Sequence, residues 1–373
     1  VAKLKGWVNP SDAFVIMNQK DEHAFWLDRQ WHKEEPFSVI GSASSSVRLG
    51  DEAFSWASEY LERLRANTEI PENLDLPFSF RPGLVGYLGY ELNHESNNQR
   101  GSSSNPLPHP KAQFLVVDRA VVFDHKDKAM YFIGLFETQE DFDAWHYAAL
   151  LRLTMLGGEK AFYLRSKPEP RLRSIKIRHS DEEYLEKINQ AKAHIREGDL
   201  YQICLTNQIV MEHDCDALKT FFTLRETNPA PYSSYIKLGG LEIVSSSPES
   251  FLSVSASGYL STKPIKGTRP RSDDPEKDLA LAEELRNNEK ERAENLMIVD
   301  LMRNDLGKVC DQSSVSVEKL FDIESYASVH QLVSTITAKL NPGQSATSAL
   351  AAVFPGGSMT GAPKLRAIEI LEV

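Results

Sequence analysis

The 373 residues include 42 basic and 53 acidic side chains, a net charge of −11, with 41% hydrophobic and 25% charged residues. That balance belongs to a folded globular chain, of two to three domains at roughly 150 residues each, and excludes a disordered one. The acidic excess argues against a nucleic-acid partner, and no apolar run approaches the ~18 residues a membrane span needs.

The first seven residues, Val1 to Trp7, lack the apolar stretch and cleavage site of a signal peptide, so the cytoplasm is the expected compartment. Residues 11–60 mix β-like runs at 13–17 and 24–27 with Ser-rich turns at 42–46, and 52–64 reads as an amphipathic helix. The segment 95–110, ESNNQRGSSSNPLPHP, has almost no apolar content and predicts an exposed loop. Strands are expected over 112–123 and 129–135, a helix over 141–156, and a linker at 167–171, KPEPR. The domain boundary is therefore placed between 166 and 167. Ser180 and Glu183 make a capping-box pattern, and Tyr184, Ile188, Ala191 and Ile195 then fall at helical spacing up to Gly198. Strand-like alternation follows at 200–210, 235–244 and 329–340, with a helix opening at Asp274-Pro275 and a charged helical region running to Gly307. Because the strands alternate apolar with polar, as half-covered antiparallel sheets do, the expected class is α+β rather than a doubly wound parallel fold. The last stretch, 365–373, has helical apolar spacing and stops without a terminating signal, which suggests that natural sequence continues beyond it.

Several residues can carry chemistry. Glu249, in Ser247-Pro248-Glu249-Ser250, sits where a strand gives way to a turn. A carboxyl there acts as general acid or base if its surroundings raise its pKa, and is otherwise a solvated turn residue. Lys266 lies in a basic loop, TKPIKGTRPR at 262–271, where Lys263 and Arg269 could lower its pKa and make it a nucleophile; the plainer reading is a solvated face. Glu294, Ile298, Leu301 and Asp305 form one helical stripe. An acid in line with a buried face is costly unless paired or bound to a metal. Arg303, nine residues after Glu294, lies about 180° round an ideal helix and meets the same ligand only if the helix ends or bends. His330 shares a strand face with Leu332 and Ile336, which suits a core histidine as well as a functional one. PGGSMTGAPK at 355–364 has the glycine offset of a phosphate loop, but Ala362-Pro363 replaces the required Lys-Ser/Thr, so the choice lies between a carboxylate cradle and a plain turn. The three cysteines, Cys204, Cys215 and Cys310, contain no C-x-x-C and read as ordinary thiols.

Taken in order, GYLGYE at 86–91, GDLYQICLTNQ at 198–208, NPAPYSSYI at 228–236, SSSPESF at 245–251, PIKGTRPR at 264–271, AENLMIVDLMRNDLGKV at 293–309, SVHQLVS at 328–334 and FPGGSMTGAPK at 354–364 resemble the chorismate-utilising enzymes. The resemblance implies a two-lobed α+β fold, a large antiparallel β-sandwich with helices packed outside, with residues 1–166 as the N-terminal part and 167–373 as the chorismate-binding part. It also implies Mg²⁺, with Glu294 as one of two metal carboxylates. Gly267, Thr268, Arg303, His330 and the amides of Gly356, Gly357 and Ser358 would line the chorismate pocket, and Glu249 would be the general acid for departure of the C4 hydroxyl. Lys308 stands where many members have Arg, a point charge in place of a bidentate fork.

Two positions select the branch. Gln202 stands where water-adding members have Lys, and Lys266 gives PIKGT where anthranilate-forming members read PIAGT. The first disfavours a water nucleophile, and the second points to C4 amination, a transferase step toward p-aminobenzoate and folate. Anthranilate formation is the close rival, and a non-catalytic subunit that docks an amidotransferase or senses an amino acid is the distant one. None of the cysteines sits in a nucleophile setting, so ammonia is expected from a glutamine amidotransferase subunit or domain. Pro231, Tyr232 and Ser233 resemble the segment with which some members hold tryptophan, which makes tryptophan a candidate effector.

Overall fold

Every strand pairing among the described residues is antiparallel, as the apolar–polar alternation requires. The structure is a computed structural model that describes residues 1–71, 74–96, 108–154 and 171–372. Most of the polar 95–110 segment and of the 167–171 linker lies outside those residues. They divide into two compact units, one drawn from Val1–Gly89, Leu107–Glu169 and Cys215–Pro248, the other from Tyr90–Pro106, Pro170–Asp214 and Glu249–Val373. The chain thus moves between units several times, and a single boundary after residue 166 does not describe them. No helix among the described residues is long and apolar enough to cross a membrane.

The first unit is built on a seven-stranded sheet in the spatial order Ala2–Leu4, Ala129–Gly134, Arg119–Asp124, Phe37–Ser42, His23–Asp28, Tyr232–Leu238 and Glu242–Ser247. Its two-residue period sends neighbouring side chains to opposite cores. Trp26, Ile40, Phe123, Phe132 and Tyr235 pack with Phe14, Phe142 and Phe221 of three helices, Pro10–Met17, Gln139–Thr154 and Ala217–Thr227. Phe25, Val39, Val122, Tyr131 and Ile236 instead meet Val85, Leu115 and Val117 of a three-stranded sheet, Ser46–Leu49, Ala112–Val117 and Gly83–Leu88. Each large side chain so buried contributes about 1.5–3 kcal/mol, which makes this doubly covered sheet the main store of stability in the unit.

In the second unit the eleven-residue strand Val329–Lys339 is the organiser. It pairs with Tyr259–Lys263 and Ile265–Pro270 on one side and Ser316–Ser325 on the other. The helix Glu289–Leu306 lays Ile298, Val299, Met302 and Leu306 over Leu260, Ile336 and Ala338. Asn288 separates it from the preceding helix Pro275–Asn287, and its side chain accepts the Glu291 N–H at 3.1 Å, so the charged region is two helices.

Four sequence expectations change. Residues 13–17 are helical, because Asn9 caps Ser11 N–H and Pro10 stands at the first helical position, and these local signals outweigh an apolar run. The stretch 235–244 is a hairpin, Tyr232–Leu238 with Glu242–Ser247, turned at Gly239 and Gly240, both at positive φ. Residues 200–210 hold only the short strand Gln202–Ile203 and the start of Ile209–His213. The basic 262–271 segment is not a loop, since the strands Tyr259–Lys263 and Ile265–Pro270 meet at Pro264 and both pair with Val329–Lys339. The capping box at Ser180 and the Gly198 terminus of the helix Asp181–Glu197 are as expected.

Candidate active site

Lys266 is aimed by a break in its strand. Register shifts between Ile265 and Thr268, and Gly267 takes φ +88°, a left-handed conformation open to glycine at little cost. A Cβ at Gly267 would also stand 2.9 Å from Glu291 Oε2 and 2.9 Å from Leu285 Cδ1. Gly267→Ala should therefore lose about 1–2 kcal/mol from backbone strain alone, measurable as a lower denaturant midpoint with an unchanged slope. On the preceding residue, the Lys266 ammonium donates to the Ser358 carbonyl at 3.1 Å, and the Cys204 thiol donates to the same oxygen at 3.3 Å.

Glu249 follows the strand Glu242–Ser247 and precedes Ser250–Val254, the turn position expected of it. Burial pushes its carboxyl above the ordinary value; the Lys266 charge, the Ile265 backbone and the Ser358 side chain pull the other way without overcoming it. Glu249, Lys266 and Ser358 are thus brought together. Ser358 belongs to the four-residue helix Gly357–Thr360, and Gly357 approaches so closely that a Cβ there would lie 1.9 Å from Leu301 Cδ2. The glycine pair serves close packing, Gly357 on the helix Glu289–Leu306 and Gly356 on Phe251 of the strand Ser250–Val254, and Ser358 holds Lys266 through a carbonyl rather than an amide.

Beside this turn the strand Gln202–Ile203 pairs with Gly361–Ala362. The Gln202 side-chain amide nitrogen is buried and has no hydrogen-bond partner among the described residues. A buried orphan donor is costly, and a bound ligand or water is the usual remedy.

The helix Glu289–Leu306 links these parts, since Glu291 touches Gly267 and Leu301 touches Gly357. Glu294 lies between the two contacts and two turns before Leu301 on nearly the same face. Its carboxylate is 36% exposed, with a 3.7 Å contact to Lys290. One hard oxygen donor so loosely held fits Mg²⁺, which keeps waters and takes few protein ligands.

The other proposed pocket residues are placed differently. Arg303 stays inside the unbroken helix, faces away from Glu294, and pairs at 3.2 Å with Asp300 with its side chain 50% exposed. Lys308 pairs with Asp305 at 2.8 Å. Buried Asp305 also holds buried Lys364 at 2.5 Å, tying this helix to Lys364–Leu371; burial lowers the Lys364 pKa while Asp305 opposes the shift. His330 is buried with both ring nitrogens engaged, Nδ1 to the Ser325 hydroxyl at 2.7 Å and Nε2 to Asp278 at 2.9 Å. Thr268 is exposed. Lys263 and Arg269, expected to press on Lys266, are held by acids of their own: Lys263 lies 3.6 Å from Glu324, and Arg269 pairs with Glu284 at 2.5 Å and Glu291 at 3.4 Å.

Sequence reasoning missed Glu291 and Asp278. Glu291 was within reach, one helical turn before Glu294. Nothing local announces Asp278, 52 residues from its histidine. In the first unit, Pro231 precedes the strand Tyr232–Leu238; the Tyr232 hydroxyl lies 3.2 Å from His32 Nε2, the Arg29 guanidinium sits 5.5 Å from its ring centroid, and the Ser233 hydroxyl donates to Ala230 O at 3.1 Å.

Comparison with known proteins matches residues 21–373 to the family described as chorismate binding enzyme. Aminodeoxychorismate synthase of Streptomyces griseus is 38% identical over 386 residues, covering 96% of this chain and 52% of that protein. Aminodeoxychorismate synthase component 1 of Escherichia coli strain K12 is 35% identical over 335 residues, covering 90% of this chain and 70% of that protein. Among solved structures, anthranilate synthase component I from Streptococcus pneumoniae TIGR4 aligns with a TM-score of 0.76 at 26% identity, over 90% of this chain and 76% of that one. The chain spans about half the length, 52%, of the S. griseus relative.

Proposed function

The chain belongs to the chorismate binding enzyme family, and from that premise we propose that it replaces the C4 hydroxyl of chorismate with an amino group. The product is 4-amino-4-deoxychorismate. The observation that carries this reading is the meeting of a half-buried carboxyl, Glu249, with a lysine, Lys266, at Ser358.

The neutral Lys266 amine attacks ring C2. The two ring double bonds shift, C4–O breaks, and Glu249 gives its proton to the departing oxygen, which leaves as water. Ammonia then bonds to C4, the double bonds shift back, and the C2–N bond breaks to return the lysine. One difficult displacement becomes two easier ones. Direct addition of ammonia at C2, the route to anthranilate and pyruvate, leaves Lys266 without a chemical role. Gln202 can orient but not deprotonate a nucleophile, which disfavours water, and its buried orphan amide is free to donate to the bound substrate. The nitrogen comes from a glutamine amidotransferase subunit or domain.

Mg²⁺, held through Glu294, would offset the negative charge of a substrate carboxylate. Glu294→Gln should weaken Mg²⁺-dependent chorismate binding while leaving the melting temperature nearly unchanged, because the residue is half-exposed and its one ion pair among the described residues is a long one. Calorimetric titration with Mg²⁺ and with EDTA decides the point; equal chorismate affinity in both removes the metal assignment. Product analysis after incubation with chorismate, Mg²⁺ and ammonia tests the reaction itself, and anthranilate as sole product would overturn it.

A further inference from the structure

Two nucleophilic side chains of the second unit share one acceptor. The Ser358 carbonyl oxygen receives the Lys266 ammonium at 3.1 Å and the Cys204 thiol at 3.3 Å, which sets nitrogen and sulfur side by side. The backbone around each fixes this meeting. Cys204 lies just past the strand Gln202–Ile203, and its N–H donates to Thr360 O at 2.9 Å, so the residue is held against the four-residue helix Gly357–Thr360 that carries Ser358. Lys266 is brought to the same helix from the broken strand at Gly267. Both residues are partly exposed, so a molecule as small as hydrogen peroxide reaches the sulfur without opening the fold. The other two thiols differ: Cys310 is buried, and Cys215 is exposed and belongs to the first unit.

We propose that Cys204 is a modification site, at which oxidation by hydrogen peroxide ties up Lys266 in a reversible sulfur–nitrogen bond. In the first step the sulfur attacks one peroxide oxygen and the O–O bond breaks. Sulfur is oxidised to a sulfenic acid, and the second peroxide oxygen leaves, reduced, as water. The Lys266 amine then attacks that sulfur. The S–N bond forms, the S–O bond breaks, and the hydroxyl departs as a second water with a proton from the nitrogen. Capture by lysine is favoured because the amine already stands beside the sulfur, which makes the step effectively unimolecular. A thiol reductant reverses it, two external thiols becoming a disulfide while the Cys204 thiol and the Lys266 amine return. A nitrogen bonded to sulfur cannot attack a substrate carbon, so amination stops until the bridge is reduced. The bridge also keeps the sulfur from going on to the sulfinic acid, which is not recovered by thiols.

The loss of activity rests on the amination reading, whereas the bridge does not, and the test separates the two. Wild type, Cys204→Ser and Lys266→Ala, each first shown by its melting curve to be folded, are treated with hydrogen peroxide, digested and analysed by mass spectrometry. Wild type should yield the Cys204 and Lys266 peptides joined with the loss of two hydrogen atoms, a species that dithiothreitol separates. In Lys266→Ala, with no amine to capture the sulfenic acid, Cys204 should instead gain two oxygen atoms as the sulfinic acid. Ammonia-driven amination by wild type should fall as the bridge forms and return with reductant, while Cys204→Ser should start at the wild-type rate and resist the same dose. Unjoined Cys204 and Lys266 peptides after peroxide, or equal loss of activity in wild type and Cys204→Ser, overturn the proposal. Absence of aminated product from wild type before oxidation overturns the catalytic reading, and the joined peptide still decides the bridge.

Discussion

Lys266→Ala should abolish amination at C4 while leaving the fold intact. Among the described residues the side chain makes one hydrogen bond, to the Ser358 carbonyl at 3.1 Å, and it lies on a strand whose ladder bonds are all backbone. Losing that bond costs about 0.5–1.5 kcal/mol, too little to unfold a domain. The chemical loss is far larger, because without the amine the leaving hydroxyl must be displaced at its own carbon. Mass spectrometry of wild-type protein quenched with chorismate and Mg²⁺ but no ammonia should find a substrate-derived adduct on the Lys266 peptide. An unmodified peptide together with full activity of the alanine variant refutes covalent catalysis. The adduct needs the neutral amine. Lys263 and Arg269, expected to act on Lys266, are instead paired with Glu324, Glu284 and Glu291.

Glu249→Gln should lower the amination rate roughly 10²–10⁴-fold, the usual contribution of a positioned general acid, and should also raise thermal stability at neutral pH. Both effects have one cause. Burial raises the Glu249 pKa in the folded chain above its unfolded value, so folding favours the protonated form. The stability that proton provides is fully present below the unfolded carboxylate pKa and is lost as pH rises through the folded one. Above the raised pKa, the partly desolvated carboxylate is a liability that glutamine removes. The melting difference between variant and wild type should therefore shrink on acidification. The rate follows the same proton: wild-type amination should decline on the alkaline side of the raised pKa, and this limb should vanish in the variant. A Glu249→Gln chain that melts lower at neutral pH, or that keeps the limb, contradicts the assignment.

Much of this protein is written locally. Ser180 with Glu183, Asp274 with Pro275, and Gly198 after a periodic run mark helix ends because capping satisfies backbone groups within a few residues of the signal. Alternation determined that the sheets would be antiparallel, since side chains on a half-covered strand must change face at every residue. The motif order determined the family, and the turn position of Glu249 followed from the strand that ends before it.

Tertiary structure decided what local signals could not. The 262–271 segment looks like a solvated loop because its charges are close in sequence; it is strand because Val329–Lys339 pairs with both halves, while Ser316–Ser325 offers Glu324 to Lys263 and two helices offer Glu284 and Glu291 to Arg269. The Asp305–Lys364 pair and the Asp278–His330 contact join residues 59 and 52 positions apart in the chain. Composition can name the charged groups but not their partners, because pairing of a buried charge depends on which elements pack together, and that is settled by the whole core. The raised pKa of Glu249 has the same origin: its identity is local, but the shift comes from burial, a property of the assembled fold.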